Sequence, residues 1–208
     1  MIAIPERGIY LASRSPRRRE LLSQIGVRYH LLLFRERLGE RPEVDEAVIE
    51  GESAAAYVER MARAKAEAGW NRMLQRNLPP APILAADTIV ALGARLLGKP
   101  KDRAEAAEML ALLSGERHEV LTGVALKNRD QVEFALSISE VLLKKLSPEE
   151  IAQYVASGEG DDKAGGYAIQ GRAARFIVEL RGSYSGVMGL PLYETSLLLD
   201  KLRGRNSY

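Results

Sequence analysis

Residues 83 to 92 read I-L-A-A-D-T-I-V-A-L, an apolar run of ten in which only Asp87 and Thr88 are polar. A run like this, between Pro82 and Gly93, predicts a central, buried strand. Burying a lone carboxylate is expensive, so Asp87 must be paired, bound to a metal or neutralised. Around this strand the pattern alternates. Ile9 to Ala12 is a second short apolar run. Ser15 and Pro16 then offer an N-cap and a first helical position, Leu21, Leu22 and Ile25 make an apolar stripe, and Gly26 is a plausible stop. Strands alternating with helices argue an α/β fold with a mixed sheet and flanking helices.

The rest of the chain fits that scheme. Val27 to Phe34 reads as a strand and residues 35–52 as a charged loop. Ser53 to Met73 reads as a long helix with Tyr57, Met61 and Ala64 on one face and Arg60 and Lys65 elsewhere. Prolines 79, 80 and 82 end a linker. The stretch to Pro100 predicts a turn and a short returning strand. Asp102 with Glu105, and Ser147 with Glu150, have capping-box spacing for helices reaching Leu113 and Val155. Between them, His118 to Lys127 and Val132 to Leu146 alternate like two long antiparallel strands, joined at residues 128–130. Eight of the 18 glycines fall between Gly158 and Gly189, around a strand at Phe176 to Leu180. Glycine permits unusual backbone angles and close approach of a ligand. A last helix starts at Pro191.

Composition removes whole classes of function. With no cysteine there is no disulfide, thiolate metal site or cysteine nucleophile. No apolar run approaches the ~20 residues of a spanning helix, and the first nine residues do not read as a signal peptide. A cytoplasmic protein without a membrane partner is the expectation. The 30 basic and 28 acidic residues leave a net charge of +2, and aromatics are only 6%. A nucleic-acid binder should show a basic stripe with stacking aromatics, so no nucleic-acid partner is expected.

Four stretches can carry chemistry. Arg17, Arg18 and Arg19 follow Ser15-Pro16 in the first turn of a helix, where the macrodipole disfavours cations by ~0.3–1 kcal/mol each. That cost disappears if an anion binds, and Ser13, Ser15, the first amides and an arginine would together cradle a phosphate. The alternative is a solvated charge run. No Walker A pattern is present. Asp87 could hold a divalent cation or accept a proton from water if it lies at a strand end; the alternative is a structural Asp bonded to a turn. Lys65, Lys99 and the pair Asp45-Glu46 are weaker signals, the last a candidate for a magnesium site, since that ion takes few protein oxygens. Gln170, framed by Ile169 and Gly171, offers donor and acceptor together and suits the edge of a base, or else is a turn residue facing water. His30 and His118 have no metal-ligand spacing and read as structural.

In this order the stretches resemble the Maf family of nucleoside triphosphate pyrophosphatases. The matching blocks are L-A-S-R-S-P-R-R-R-E-L-L at 11–22, A-R-A-K-A at 62–66, A-A-D-T-I-V at 85–90, G-K-P-K-D at 98–102, D-K-A-G-G-Y-A-I-Q-G at 162–171 and G-S-Y-S-G-V-M-G-L-P-L at 182–192. The resemblance implies one catalytic domain over residues 1–208, an inosine triphosphate pyrophosphatase-like fold of two lobes around a deep cleft, and often a homodimer. It implies hydrolysis of a nucleotide between its α and β phosphates with Mg²⁺ or Mn²⁺. It makes Asp87 the proton acceptor and a metal ligand beside Glu46. Arg17, Thr88 and Gln170 match positions of substrate choice, and Ser13, Lys65 and Lys99 match positions around the phosphates. The Y-A-I-Q-G form resembles the branch acting on dTTP and UTP, with modified pyrimidine nucleotides as further candidates. Residues 35–43 look like an insertion ahead of Glu46, while Arg18 and Arg19 read as surface charge. A competing reading is a nucleotide-binding regulator of cell division with little turnover.

Overall fold

The computed structural model describes residues 8–33 and 44–204; the expected insertion at 35–43 lies outside them. Among the described residues seven strands form one sheet. They are β1 (Ile9–Leu11), β2 (Tyr29–Leu31), β3 (Ile83–Leu92), β4 (Arg95–Leu97), β5 (Arg117–Asn128), β6 (Gln131–Leu143) and β7 (Ile177–Arg181). Their order is β2-β1-β3-β5-β6-β7, with β4 paired to β3. The helices are α1 (Pro16–Gln24), α2 (Ala54–Gln75), α3 (Arg103–Leu113), α4 (Pro148–Ala156), α5 (Tyr184–Met188) and α6 (Leu192–Gly204). Among the described residues no helix is long and apolar enough to cross a membrane.

The chain divides into two compact units. One comprises residues up to Asp87, Gly123–Leu136 and those from Gly189 on. Within it β1 runs parallel to both its neighbours, pairing with β2 from Ile9↔Tyr29 and with β3 at Tyr10↔Ile83 and Leu11↔Leu84. α2 packs on it through Ala62, Ala66 and Met73, against Tyr10, Ala12, Ile83, Ala85 and Ala125. The small alanines let the helix come close to the strands, and the Ser53 hydroxyl caps it by accepting from the Ala56 amide at 3.2 Å. The buried stripe of α2 runs Tyr57-Val58, Met61-Ala62, Ala66, Gly69, Met73. Ala64 is therefore not on the core face, and Lys65, four residues after Met61 and eight after Tyr57, borders it rather than lying elsewhere.

The other unit comprises Thr88–Thr122 and Ser137–Met188. Its pairings are antiparallel: β4 returns along β3 at Val90↔Leu97, and β6 meets β7 from Glu140↔Arg181 to Leu143↔Ile177 across a bulge. Its core gathers Leu110, Leu113, Val120, Val141, Leu143, Tyr154, Tyr167, Ile169 and Phe176. Both expected caps form, with a difference. Ser147 and Glu150 close a full capping box on α4. On α3, Asp102 accepts from the Glu105 amide at 2.9 Å, but the Glu105 carboxylate turns to the Lys101 amide instead. The glycine-rich segment holds β7, α5 and two 3-10 turns, Ala164–Gly166 and Arg172–Phe176.

Candidate active site

Asp87 is the fifth of the ten residues of β3, in mid-strand rather than at the strand end that sequence reasoning required of a reactive carboxylate. β1 pairs with β3 at Ile83 and Leu84, and β4 pairs from Val90 on. Asp87 lies in the stretch of β3 that neither pairing reaches.

Three groups of the first unit meet here. Lys65 Nζ lies 2.6 Å from Asp87 Oδ1 and 2.6 Å from Glu46 Oε1. The Lys65 and Asp87 side chains are 15% and 12% exposed, and Glu46 50%, so the ammonium is the counter-ion that makes a nearly buried Asp87 affordable. The Glu46 loop is fastened to α2. Arg60 donates twice to the Glu52 carboxylate at 2.6 Å and once to the Ala47 carbonyl at 2.9 Å, and Tyr57 donates to the Glu46 carbonyl at 3.1 Å. That fork holds the Glu52 carboxyl below its usual range. Burial pushes the Tyr57 phenol up, with Asp87 and Glu46 adding to the effect. Asp45 turns onto its own backbone, accepting from the Ala47 amide at 2.9 Å. Of the acidic pair, Glu46 is the residue that reaches Lys65.

The arginine run is only partly what sequence reasoning expected. Pro16 opens α1, but Ser15 at the N-cap makes no side-chain cap bond and the first turn has no acidic residue. Ser13 takes the central place: its buried hydroxyl accepts from the Ser15 amide at 3.2 Å and from Arg18 Nη1 at 3.3 Å. Its own proton remains the one it can give. Arg18 is not surface charge. Its Nε donates to the Gly189 carbonyl at 2.7 Å. Burial lowers its pKa, partly offset by Asp87 and Glu46, while Arg17 beside it adds to the lowering. Two arginines held in mutual repulsion against a helix start form a place suited to an anion. A sequence signal for Arg18 was absent, because three adjacent arginines look alike until the chain is folded.

The second unit carries the other expected residues. Thr88 Oγ1 lies 2.9 Å from Thr122 Oγ1, and Thr122 donates to the Gly186 carbonyl at 2.8 Å. A hydroxyl has one proton, so Thr88 is the donor to Thr122 and can meet a ligand only as an acceptor. Thr122 is fully buried, and its role went unseen because a threonine in a strand carries no signal. Lys99 and Gln170 are both exposed. Their loops are joined where the Gly165 amide donates to the Gly98 carbonyl at 3.0 Å. His118 is buried against Tyr167, 2.8 Å from its hydroxyl, and its burial pushes the pKa down to about 4. It is structural, as expected.

The Maf-like protein family model matches residues 8–202. The chain belongs to the Maf family. Relatives are similar over nearly their whole length. A Nitrosomonas europaea protein named dTTP/UTP pyrophosphatase is 55% identical over 193 residues, 93% of either chain. One of the same name from Aromatoleum aromaticum is 55% identical over 92% of this chain and 94% of its own. A third, from Dechloromonas aromatica, is 52% identical over 93% and 96%. In this Maf chain, the six blocks that carried the resemblance all fall among the described residues.

Proposed function

We propose that this Maf-family chain is a nucleoside triphosphate pyrophosphatase that takes dTTP and UTP. It would cleave them between the α and β phosphates to a nucleoside monophosphate and pyrophosphate. Support comes from the relatives of that name at 50% identity or more across over nine-tenths of this chain. The observation that carries the chemistry is Lys65 held at 2.6 Å by both Asp87 and Glu46. One ammonium and two carboxylates in hydrogen-bond reach supply both a base and a phosphate cation.

The same two carboxylates fit a divalent cation. They are hard oxygen donors converging on one positive charge, and among the described residues no group of three or more metal-ligating side chains occurs. Magnesium commonly binds through one or two carboxylates and completes its shell with water and substrate phosphates. Glu46 and Asp87 would hold it, and when bound it would neutralise charge on the leaving pyrophosphate. In the reading proposed, Asp87 takes a proton from the water that attacks the α phosphorus as the bond to the bridging oxygen breaks. Lys65, Arg17 and the Ser13 hydroxyl compensate charge on the phosphates. Lys99 adds a further cation, and Thr88 as acceptor and Gln170 as donor and acceptor discriminate the base.

We further take the catalytic domain to span 1–208 and to act as a cytoplasmic homodimer, which sedimentation of the purified chain would check. The activity test is a panel of nucleoside triphosphates with Mg²⁺, scored for pyrophosphate against orthophosphate, beside Asp87→Asn. Pyrophosphate from dTTP and UTP, lost in Asp87→Asn with nucleotide binding kept, is the expected result. Tight binding without turnover of any nucleotide would overturn the reading in favour of a regulator.

A further inference from the structure

Gln170 is exposed, yet the three residues before it are buried. What holds this turn is a pair of side chains from another segment. The Ala168 amide donates to the Tyr154 hydroxyl at 3.0 Å, and that hydroxyl donates to Glu159 Oε1 at 2.9 Å. The Arg172 amide donates to the other oxygen, Oε2, at 3.0 Å. The backbone two residues before Gln170 and two residues after it thus ends on one Tyr–Glu pair. The turn also closes on itself, from the Gly171 amide to the Ala168 carbonyl at 3.1 Å.

Packing makes the brace tight. The Glu159 carboxylate lies flat against Gly171, where an added Cβ would come within 2.3 to 2.5 Å of its atoms. At Gly160, beside Glu159, an added Cβ would lie 2.0 Å from the Gly166 carbonyl oxygen. Both segments approach as closely as backbone allows. Tyr154 is 2% exposed and sets its ring edge against Phe176, with centroids 5.7 Å apart. A carboxylate accepting an amide and a phenol forms the stronger, charge-assisted kind of hydrogen bond. This is more support than an ordinary turn requires. An amide that reads a base edge does require it, because its donor and acceptor must be held to about 0.5 Å and 10–20°.

We infer that Glu159, acting with Tyr154, is a positioning residue for Gln170 and sets base discrimination without touching the substrate. The inference rests on Gln170 reading the base. The test measures kcat and KM for dTTP and dGTP with Gln170→Ala, Glu159→Ala, Glu159→Gln, Tyr154→Phe and the double variant Glu159→Ala/Gln170→Ala. Gln170→Ala should cut the dTTP-to-dGTP ratio of kcat/KM by about 10-fold or more. Glu159→Ala should cause most of the same loss, chiefly through KM for dTTP, and add nothing in the double variant. Glu159→Gln, which keeps an acceptor for one amide, should restore part of it. If Gln170→Ala loses the ratio while Glu159→Ala and Tyr154→Phe, both folded by circular dichroism, leave it intact, the brace has no such role. If Gln170→Ala itself keeps the ratio, the assignment of Gln170 fails and the inference falls with it.

Discussion

The two units hold their functional groups by opposite means. In the first, charged side chains fix one another: Lys65 between Asp87 and Glu46, Arg60 on Glu52, Arg18 on Ser13 and Gly189. In the second, fixed surroundings do the holding: a braced turn sets the backbone on either side of Gln170, and the buried Thr122 sets the Thr88 hydroxyl. Mutually paired ions can be released by a ligand that offers a better partner, so the first arrangement suits phosphate and metal. Neutral groups locked from behind cannot re-pair, so the second suits discrimination between bases.

That contrast can be broken by experiment. The largest effect is expected from Asp87→Asn, which should lower kcat by about 10²- to 10⁴-fold and leave the dTTP-to-dGTP ratio unchanged. A changed ratio in steady-state assays would mean the division of labour is wrong. Next, Lys65→Met strips the counter-ion from a nearly buried Asp87 and should cost about 3 kcal/mol of stability, read by urea titration at neutral pH. A stable Lys65→Met would show that the ion cluster is not self-supporting.

A buried histidine sharpens the comparison on the neutral side. His118 is buried uncharged, with a pKa near 4 in the fold and about 6.5 unfolded. Between those values the unfolded chain binds more protons, so stability falls as pH drops from about 6.5 to 4, by up to about 3 kcal/mol. Chemical denaturation at several pH values should show that slope in the native chain and not in His118→Asn. The smallest effect is expected from Thr122→Val. It removes the oxygen that takes the Thr88 proton, and should shift base preference by about 10-fold or less with kcat for dTTP nearly kept.

What the sequence made legible follows the locality of the interaction. The caps at Asp102 and Ser147 and the extent of β3 could be read directly, since each depends on residues within a few positions. Pairing Lys65 with Asp87 needs a helix packed on a strand 22 residues on, and only the family resemblance anticipated that both belong to the site. Arg18 was misread because its partner Gly189 is 171 residues away. Lys65 was placed on the wrong face because Ala64, equally plausible as core, competes with it in the helical count. The brace on Gln170 was invisible because Tyr154 and Glu159 look like an ordinary helix end and turn.

The bond from Arg18 to Gly189 also has a consequence for how the molecule is made. At ribosomal rates of about 5–20 residues per second, roughly 10 to 30 seconds separate the synthesis of its two ends. Throughout that interval the newborn first helix carries adjacent arginines without their carbonyl anchor. A cellular polyanion, or the nucleotide itself, could occupy them during translation. The arginine-bearing end of this chain would then be a place where an anion can assist the birth of the fold.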